Sequence, residues 1–416
     1  MSPKYKQIIA RFADGGWALA EQGTQSATNF LTVALIGLLV DLETLAVYQM
    51  GRFVILLLAG FQNSLISFPY TISFRTSLDD NPTQLAGSQL LLAIGLISIA
   101  VPVIALGLIF RWEQSVGNMI FALLFAVPGY LIREFFRRHD FAHLRTRTTF
   151  FLSLAMCLMQ VLGMLLLWSF ERLDAANVFV VIAMACSVTS VFWYWIRRNE
   201  FTLANGKQGF HHLKSTALSN WSIGKWIFSN QALTDLLLTA IQWALGSKAV
   251  GGMFAAGFQI VSLCNPVVMG LANLLPPKLA KTFAESGRSD LMETIHNFNK
   301  SFLVIVGGIA IGLVLFCEPL LNIVSQESVE HPYHLTAVLA AMMLVQAIGL
   351  PAFHGLNAVK EPFRAFSPRL LGIAVAIVFF GLANGWDSAI VAAYSLLIAH
   401  TVISTLTFLQ VNIALK

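Results

Sequence analysis

The chain has 416 residues, of which 57% are hydrophobic and only 11% are charged, and its mean hydropathy is +0.72. A soluble domain carries about 25% charged residues, so this composition excludes a soluble globular protein and indicates a surface that faces lipid. The net charge of +5 does not indicate nucleic-acid binding, because the basic residues lie between apolar segments and form no separate basic domain.

Runs of about 18 or more mostly apolar residues mark helices that span a membrane. Such runs follow one another along the whole chain, at approximately residues 17 to 40, 45 to 68, 88 to 110, 116 to 133, 148 to 170, 178 to 196, 226 to 246, 250 to 275, 301 to 318, 334 to 355, 367 to 384 and 388 to 411. We therefore predict an all-α polytopic membrane protein with twelve transmembrane helices.

The placement of positive charge supports this count, because cytoplasmic loops are rich in Lys and Arg. With a cytoplasmic N-terminus, all but Arg52, Arg111, Arg172 and Lys248 of the 26 Lys and Arg residues fall in predicted cytoplasmic segments. A missed or invented helix would invert every later loop and destroy this bias. We therefore predict that both termini are cytoplasmic.

The stretch from Trp17 to Tyr70 has a weaker echo between Trp226 and Pro277. Trp17 and Gln22 recur as Trp226 and Gln231, and Tyr48 recurs as Phe254 after a small change of offset. Internal repeats of this kind determine architecture. The repeat indicates two halves that each begin with a similar helix pair.

The longest predicted cytoplasmic connection joins the sixth helix to the seventh and contains the pair His211-His212. We place the boundary between the two halves there. The prediction is an N-terminal six-helix lobe at residues 1–198, a cytoplasmic linker at 199–225 and a C-terminal six-helix lobe at 226–416.

Polar side chains form one face of the first predicted helix and recur in the seventh. Spacings of three or four residues place side chains on one helix face. On the first helix these residues are Glu21, Gln22, Gln25 and Asn29, and on the seventh they are Gln231 and Asp235. Such groups need partners or water inside a membrane, so both faces should look into a cavity or at each other. Gln22, Gln25, Asn29 and Gln231 are therefore candidate substrate-binding residues. Bonding between helices is the alternative.

Asp235 and Glu21 are the acidic residues on these two faces. Asp235 lies roughly 13 Å from the cytoplasmic end of the seventh helix, at about 1.5 Å per residue. A carboxylate at that depth is costly and marks an ion or proton site or a buried ion pair. We predict that Asp235 couples transport to Na⁺ or H⁺, with structural pairing as the alternative. Glu21 lies nearer the cytoplasmic end, where it either shares this role or reaches interfacial water.

Arg52 is a basic residue deep in a predicted span, with Gln49 one turn before it. A guanidinium group holds a phosphate through paired hydrogen bonds, so both residues are candidate substrate contacts. Pairing with a carboxylate and extension of the side chain to the outer surface are the alternatives.

A basic cluster follows the fourth predicted helix. It contains Arg133, Arg137, Arg138, Arg145 and Arg147, with His139 and His143 interleaved. One interpretation is a topology anchor on anionic headgroups. The other is a docking surface at which a lipid diphosphate first binds from the inner leaflet.

The sequence carries no motif for nucleotide binding, nucleophilic catalysis or metal ligation. The cysteines fall inside predicted spans without metal-ligand spacing: Cys157, Cys186, Cys264 and Cys317. We predict no enzyme activity, no cofactor and no metal. Energy would then come from an ion gradient or from consumption of the substrate.

Several motifs resemble those of polysaccharide-transporter proteins. This branch includes the Wzx-type oligosaccharide flippases and belongs to the multidrug/oligosaccharidyl-lipid/polysaccharide (MOP) superfamily. In the first half they are Gly16 to Gln22, Thr28 to Leu31, Asp41 to Glu43, Tyr48 and Pro69. In the second half they are Leu245 to Ser247, Val250 to Phe254, Pro276 to Lys281, Glu285 to Gly287 and Asn357 to Pro362.

The resemblance implies two six-helix lobes arranged as MATE-like parallel repeats around a central cavity with alternating access. It also implies movement of a polyprenyl-diphosphate-linked oligosaccharide across the bacterial inner membrane, for cell-surface polysaccharide or exopolysaccharide synthesis beside a polysaccharide polymerase and glycosyltransferases. Three alternatives remain open at this point: a cation-coupled multidrug antiporter, a membrane polysaccharide polymerase or ligase, and a scaffold without transport activity.

Overall fold

The computed structural model describes residues 3–76, 82–110, 112–143, 145–202, 206–272, 275–324, 329, 331–359, 361–384 and 388–415. Within these residues the regular structure is helical and contains no strand. Apolar runs flanked by polar connections form helices here because a helix satisfies all its backbone hydrogen bonds internally, which a lipid environment requires.

The first part of the chain forms long helices joined by short connections. In order they are α1 (Pro3–Leu39), α2 (Leu42–Gln62), α3 (Phe68–Thr76), α4 (Pro82–Gly107), α5 (Gln114–Ala142), α6 (Thr146–Ser169), α7 (Ala175–Arg197) and α8 (Gly206–Leu245). A π-helical turn at Asn63–Ser67 separates α2 from α3, and a 3₁₀ turn at Arg198–Glu200 follows α7. The linker predicted at residues 199–225 is therefore helical from Gly206 onward.

The second part continues in the same manner. Its helices are α9 (Ala249–Val261), α10 (Asn265–Ala272), α11 (Leu275–Leu315), α12 (Cys317–Val324), α13 (Pro332–Ala358), α14 (Pro362–Leu382) and α15 (Ala389–Leu415). A 3₁₀ turn at Ser262–Cys264 joins α9 to α10. Gly287, with φ of 82°, kinks α11, and glycine tolerates this positive φ at no steric cost.

Ten helical segments in the described part of the chain are long and apolar enough to cross a membrane. The two remaining predicted spans, 17 to 40 and 226 to 246, lie on α1 and α8, whose polar faces lower their hydropathy. The fourth span was predicted to end at residue 133, whereas α5 continues to Ala142. Glu134, Arg137, Arg138 and Asp140 therefore lie on a helix and not in a loop.

The chain divides into two compact units. Unit 1 comprises Met1–Leu35 and Gly51–Ala232, and unit 2 comprises Ile36–Met50 and Leu233–Lys416. The predicted division into lobes at residues 198 and 226 stays a prediction.

The helix ends agree with the predicted repeat. α1 ends at Leu39 and α8 ends at Leu245. The separation in sequence between these two helix ends equals the separation between Tyr48 and Phe254. In each copy, two or three residues separate the long first helix from the next one. The helix ends thus follow the weak sequence repeat.

In unit 1, α5 packs closely against α7. A Cβ atom at Gly129 would lie 2.9 Å from Ser187 Oγ and 3.1 Å from the Ala183 carbonyl oxygen, so only glycine permits this approach. Phe136 stacks on Trp193 with ring centroids 4.4 Å apart, inside an apolar cluster that also contains Phe135. This packing places the polar residues of α5 against α7 and neighbouring helices.

Large apolar side chains cover the outer faces of many helices. Examples that are more than half exposed are Ile99, Phe121, Leu162, Val191, Val304 and Leu382. In water so many exposed apolar groups would cause association, whereas in a bilayer they contact acyl chains at no cost.

Candidate functional site

A network of buried polar side chains lies within unit 1, where α1, α5 and α6 meet. Its members are Glu21 and Gln25 on α1, Arg133, Glu134, Arg137 and Arg138 on α5, and Ser153 on α6. We call it the arginine–glutamate network. Glu21 is 1% exposed, and Arg133 and Glu134 are each 6% exposed. Charges at this depth are stable only when they are paired and hydrogen-bonded.

Arg137 lies between the two carboxylates of the network. Its Nε donates to Glu134 Oε2 at 2.7 Å, and its Nη1 donates to Glu21 Oε2 at 3.2 Å. Arg138 Nε donates to Glu134 Oε1 at 2.9 Å, although the Arg138 side chain is 41% exposed. Glu134 reaches both arginines because residues three and four apart are neighbours on a helix surface.

Arg133 joins the same network through neutral groups. Its Nη1 donates to Gln25 Oε1 at 3.2 Å and its Nη2 donates to Ser153 Oγ at 3.0 Å. The Ser153 hydroxyl in turn donates to Glu21 Oε1 at 3.0 Å. Arg133 is therefore held by the amide and the hydroxyl, while its nearest carboxylate, Glu134, is 3.6 Å away.

The network carries more positive than negative charge, since three guanidinium groups face two carboxylates. A cavity of about 20 Å³ adjoins it, and its polar lining comes from Arg133, Arg137, Thr149, Ser153, Thr189 and Ser190. A cavity needs roughly 10–15 Å³ of such space to hold one water molecule, so this one admits about one water. The arrangement suits an anion better than a cation.

A second polar cavity lies within unit 2 and has a volume of about 50 Å³. Its polar lining comes from Thr234, Gln346, Arg369, His400, Ser404 and Thr407. The guanidinium carbon of Arg369 lies 4.5 Å from the centre of the Phe353 ring. The negative charge of Asp235, which is half-buried on α8, acts on Arg369. Both polar cavities thus contain an arginine.

The structure brings together residues that were predicted to have three separate roles. Glu21 was a candidate for ion coupling, Gln25 for substrate binding, and Arg133, Arg137 and Arg138 for inner-leaflet docking; all five belong to the arginine–glutamate network. The predicted roles themselves stay predictions. Arg133 and Arg137 are largely buried.

The other candidate residues lie at further positions on α1, α2 and α8. Gln22 and Asn29 are half-buried on α1, and Gln231 is exposed on α8. On α2, Gln49 is fully buried and Arg52 is half-buried. Their assignment to substrate binding also stays a prediction.

Sequence reasoning missed Glu134, Ser153 and Arg369. The missed signal for Glu134 was its position three and four residues before Arg137 and Arg138, a spacing that indicates ion pairing on a helix. The arginines were assigned to a loop, and in a loop this spacing has no meaning. Ser153 offers no sequence signal, because its partners lie on other helices.

No family model matches the chain, and no curated protein matches it. Solved structures do match along almost the whole chain. An inward-facing multidrug-resistance MATE family transporter of the MOP superfamily has a TM-score of 0.70 and 13% identity, over 96% of this chain and 94% of that one.

Two further structures show the same likeness. A MOP superfamily transporter from Pyrococcus furiosus has a TM-score of 0.69 and 13% identity, over 96% of this chain and 94% of its own. The bent form of the Vibrio cholerae MATE transporter VcmN has a TM-score of 0.64 and 15% identity, over 97% of this chain and 96% of its own. At such identities the likeness concerns the fold alone.

The fold is therefore that of MATE and MOP superfamily transporters, in an all-α, multi-pass membrane protein. This confirms the predicted fold class. The finer assignment to the polysaccharide-transporter branch stays a prediction.

Proposed function

We propose that the chain is a flippase that moves polyprenyl-diphosphate-linked oligosaccharides across the bacterial inner membrane. Its product would serve cell-surface polysaccharide or exopolysaccharide synthesis, beside a polysaccharide polymerase and glycosyltransferases. Both termini would lie in the cytoplasm. The fold supports transport in general, and the charge of the buried polar groups supports this substrate.

The excess of arginine in the arginine–glutamate network carries the proposal. Burying a guanidinium group that lacks a carboxylate partner of its own is costly, so a binding role offers a reason to retain it. Arg133 comes under this description, because its direct hydrogen-bond partners are Gln25 and Ser153, and the carboxylate of Glu134, 3.6 Å away, is shared with Arg137 and Arg138. A diphosphate is the kind of ligand whose oxygens suit such a guanidinium group.

The acidic members would control access to these arginines. Glu21 accepts hydrogen bonds from Arg137, so a diphosphate that binds Arg137 must compete with Glu21. Protonation of Glu21 would remove that competition. Asp235 would act in the same way on Arg369, which its charge already attracts. This is how H⁺ or Na⁺ would be coupled to transport, without a cofactor.

The remaining candidates would contact other parts of the substrate. Arg52 and Gln49 would bind the diphosphate at a second position, and Gln22, Asn29 and Gln231 would bind sugar hydroxyls. Arg138 is the most exposed arginine of the network, so it is the member best placed to receive a lipid headgroup first.

A cation-coupled multidrug antiporter is the second candidate. The fold is compatible with it, since the similar structures include multidrug MATE transporters. The Pyrococcus furiosus transporter is described as having a binding pocket of reverse polarity that suggests a different function. That description supports the use of pocket polarity, rather than fold, as the guide to substrate.

The test is a transport assay in proteoliposomes made with the purified chain. A polyprenyl-diphosphate oligosaccharide carries a fluorophore on its glycan, and a membrane-impermeant reductant reports how much glycan has changed leaflet. Ethidium uptake under a Na⁺ or H⁺ gradient is measured in the same vesicles. Movement of the glycan lipid without ethidium uptake is expected; ethidium transport without glycan movement would support the antiporter instead.

Variants test the individual residues in this assay. Arg52→Ala should weaken binding of the diphosphate lipid more than Arg52→Lys, with exposed Arg172→Ala as the control. Equal affinities for all of them would remove Arg52 from the site.

Asp235→Asn should reduce transport while membrane insertion stays normal, with exposed Asp290→Asn as its control. Unchanged transport by Asp235→Asn at every pH and ion gradient would remove Asp235 from coupling.

A further inference from the structure

A separate group of titratable side chains lies in unit 1 at the end of α5. His139 and His143 are four residues apart and so share one side of this helix end. Glu200 approaches them from the 3₁₀ turn that follows α7. The nitrogen and oxygen atoms with which these three residues could hold a metal all lie within 4.8 Å of one another.

The imidazole ring of His139 has no hydrogen-bond partner among the described residues. Its side chain is fully buried, and neither of its ring nitrogens makes a hydrogen bond. The nearest carboxylate oxygen, Glu200 Oε2, is 3.9 Å from His139 Nε2, which is beyond hydrogen-bond distance. Buried polar atoms are nearly always satisfied, so an imidazole left in this state points to a ligand that it binds.

We propose that His139, His143 and Glu200 form a binding site for a divalent transition-metal ion, with Zn²⁺ the best match. Two imidazoles and one carboxylate are a donor set that Zn²⁺ uses, and they leave a fourth tetrahedral position for water. Imidazole nitrogen also disfavours Mg²⁺ and Ca²⁺, which prefer oxygen ligands.

The geometry requires a small closure of the three side chains. Zinc bonds of about 2.0–2.1 Å place tetrahedral ligand atoms roughly 3.3 Å apart. The ligand atoms of the three residues now lie within 4.8 Å of one another, so the widest separation must decrease by about 1–1.5 Å. Rotation of the side chains can supply this movement. Tyr70 helps to orient the site, since its hydroxyl is 3.2 Å from His143 Nε2.

Two arginines compete with the metal for Glu200. Arg145 Nη1 donates to both Glu200 oxygens at 2.7 and 2.8 Å, and Arg197 Nη1 lies 3.5 Å from Oε1. The buried carboxylate of Asp140 lies 3.6 Å from Arg145 and 3.7 Å from Arg197. Arg145 can therefore turn toward Asp140 when Glu200 Oε2 binds the metal, and its partial exposure gives it room to move.

Metal binding would join the end of α5 to the end of α7. The test uses the full chain in detergent, purified through a tag without histidine and stripped with a chelator. Zn²⁺ is titrated by calorimetry, Co²⁺ replaces it for visible absorption, and the thermal unfolding temperature is measured with and without metal. The variants are His139→Gln, His143→Gln and Arg145→Gln, with exposed His296→Gln as the matched control.

The expected result is one Zn²⁺ per chain, visible Co²⁺ absorption typical of a four-coordinate ion, and a rise in unfolding temperature. Each of the two ligand variants should weaken binding roughly tenfold or more. Arg145→Gln should tighten it, because a competing cation is removed. His143 is only half-buried, so His143→Gln tests the site even if His139→Gln does not fold.

Three outcomes would overturn the proposal. The first is Zn²⁺ binding by the wild type no tighter than by a His139→Gln/His143→Gln double variant. The second is an equal loss of affinity in His296→Gln. The third is weaker Zn²⁺ binding by Arg145→Gln than by the wild type. That result would show that Arg145 does not compete with the metal for Glu200. None of these outcomes depends on transport, so the metal site and the flippase proposal stand or fall separately.

Discussion

Glu134 balances the charge of the arginine–glutamate network, and its replacement by Gln tests whether that network is a structural unit. Arg137 donates to Glu134 at 2.7 Å through Nε and at 2.5 Å through Nη2. In Glu134→Gln three guanidinium groups would share the single carboxylate of Glu21. An amide of the same shape keeps the packing, so the substitution removes charge and little else.

The expected cost follows from the burial of each pair. Removing one partner of a buried ion pair costs about 3–5 kcal/mol, because the other charge is left uncompensated. The pair between Glu134 and Arg137 is in this class, with side-chain exposures of 9% and 12%. The pair with Arg138 adds only about 0–1 kcal/mol, because the Arg138 side chain is 41% exposed and water screens the attraction. We expect Glu134→Gln to lower the free energy of unfolding by about 3 kcal/mol.

A double-mutant cycle separates the ion pair from other effects. Arg137→Gln in the Glu134→Gln background removes the uncompensated charge, so the double variant should be more stable than the sum of the single losses by about 2 kcal/mol. Unfolding is followed by circular dichroism in mixed micelles of mild and denaturing detergent. The control is Glu293→Gln, an exposed position on α11 where a change within about 0.5 kcal/mol is expected.

Two results would refute this reasoning. One is an unfolding free energy for Glu134→Gln equal to that of Glu293→Gln, which would mean that water or lipid headgroups replace the carboxylate. The other is strict additivity in the cycle, which would mean that Glu134 and Arg137 do not act as a pair.

Two further predictions concern packing and a buried hydrogen bond. Gly252→Ala should destabilise the protein by about 1–3 kcal/mol, because its Cβ would clash with the Leu42 carbonyl oxygen. Gly308→Ala places its Cβ in open space and should be neutral or slightly stabilising. Thermal unfolding compares the two variants. Trp193→Phe should cost about 1.5–3 kcal/mol in the same assay, because it removes the 2.7 Å bond from the indole Nε1–H to the buried carboxylate of Asp140.

Each of these two predictions has a matched control. Trp195, on the same helix as Trp193, is 64% exposed, so Trp195→Phe should change stability little. Equal effects of the two tryptophan variants would show that the indole bond contributes nothing. A Gly252→Ala protein as stable as Gly308→Ala would show that the backbone at Leu42 moves aside freely.

Much of the fold follows from the sequence, because a lipid environment makes hydropathy decisive. Each apolar run must become a helix to satisfy its own backbone, so length and composition locate the spans without knowledge of their neighbours. The polar faces of α1 and α8 were also visible, since one helix face is a local property of spacing. The error at α5 has the same origin: charged residues after 133 resembled the end of a span.

Tertiary structure decided which charges are buried and with what. Glu21 and Ser153 are bonded although they lie 132 residues apart, and Arg133 is held by groups from α1 and α6. Similarly, His139 and His143 become a candidate metal site only when the turn after α7 brings Glu200 to them. Such pairings depend on how helices pack, and local hydropathy and spacing carry no record of it. The sequence by itself therefore determined the helices and their polar faces, and only the packing determined the sites.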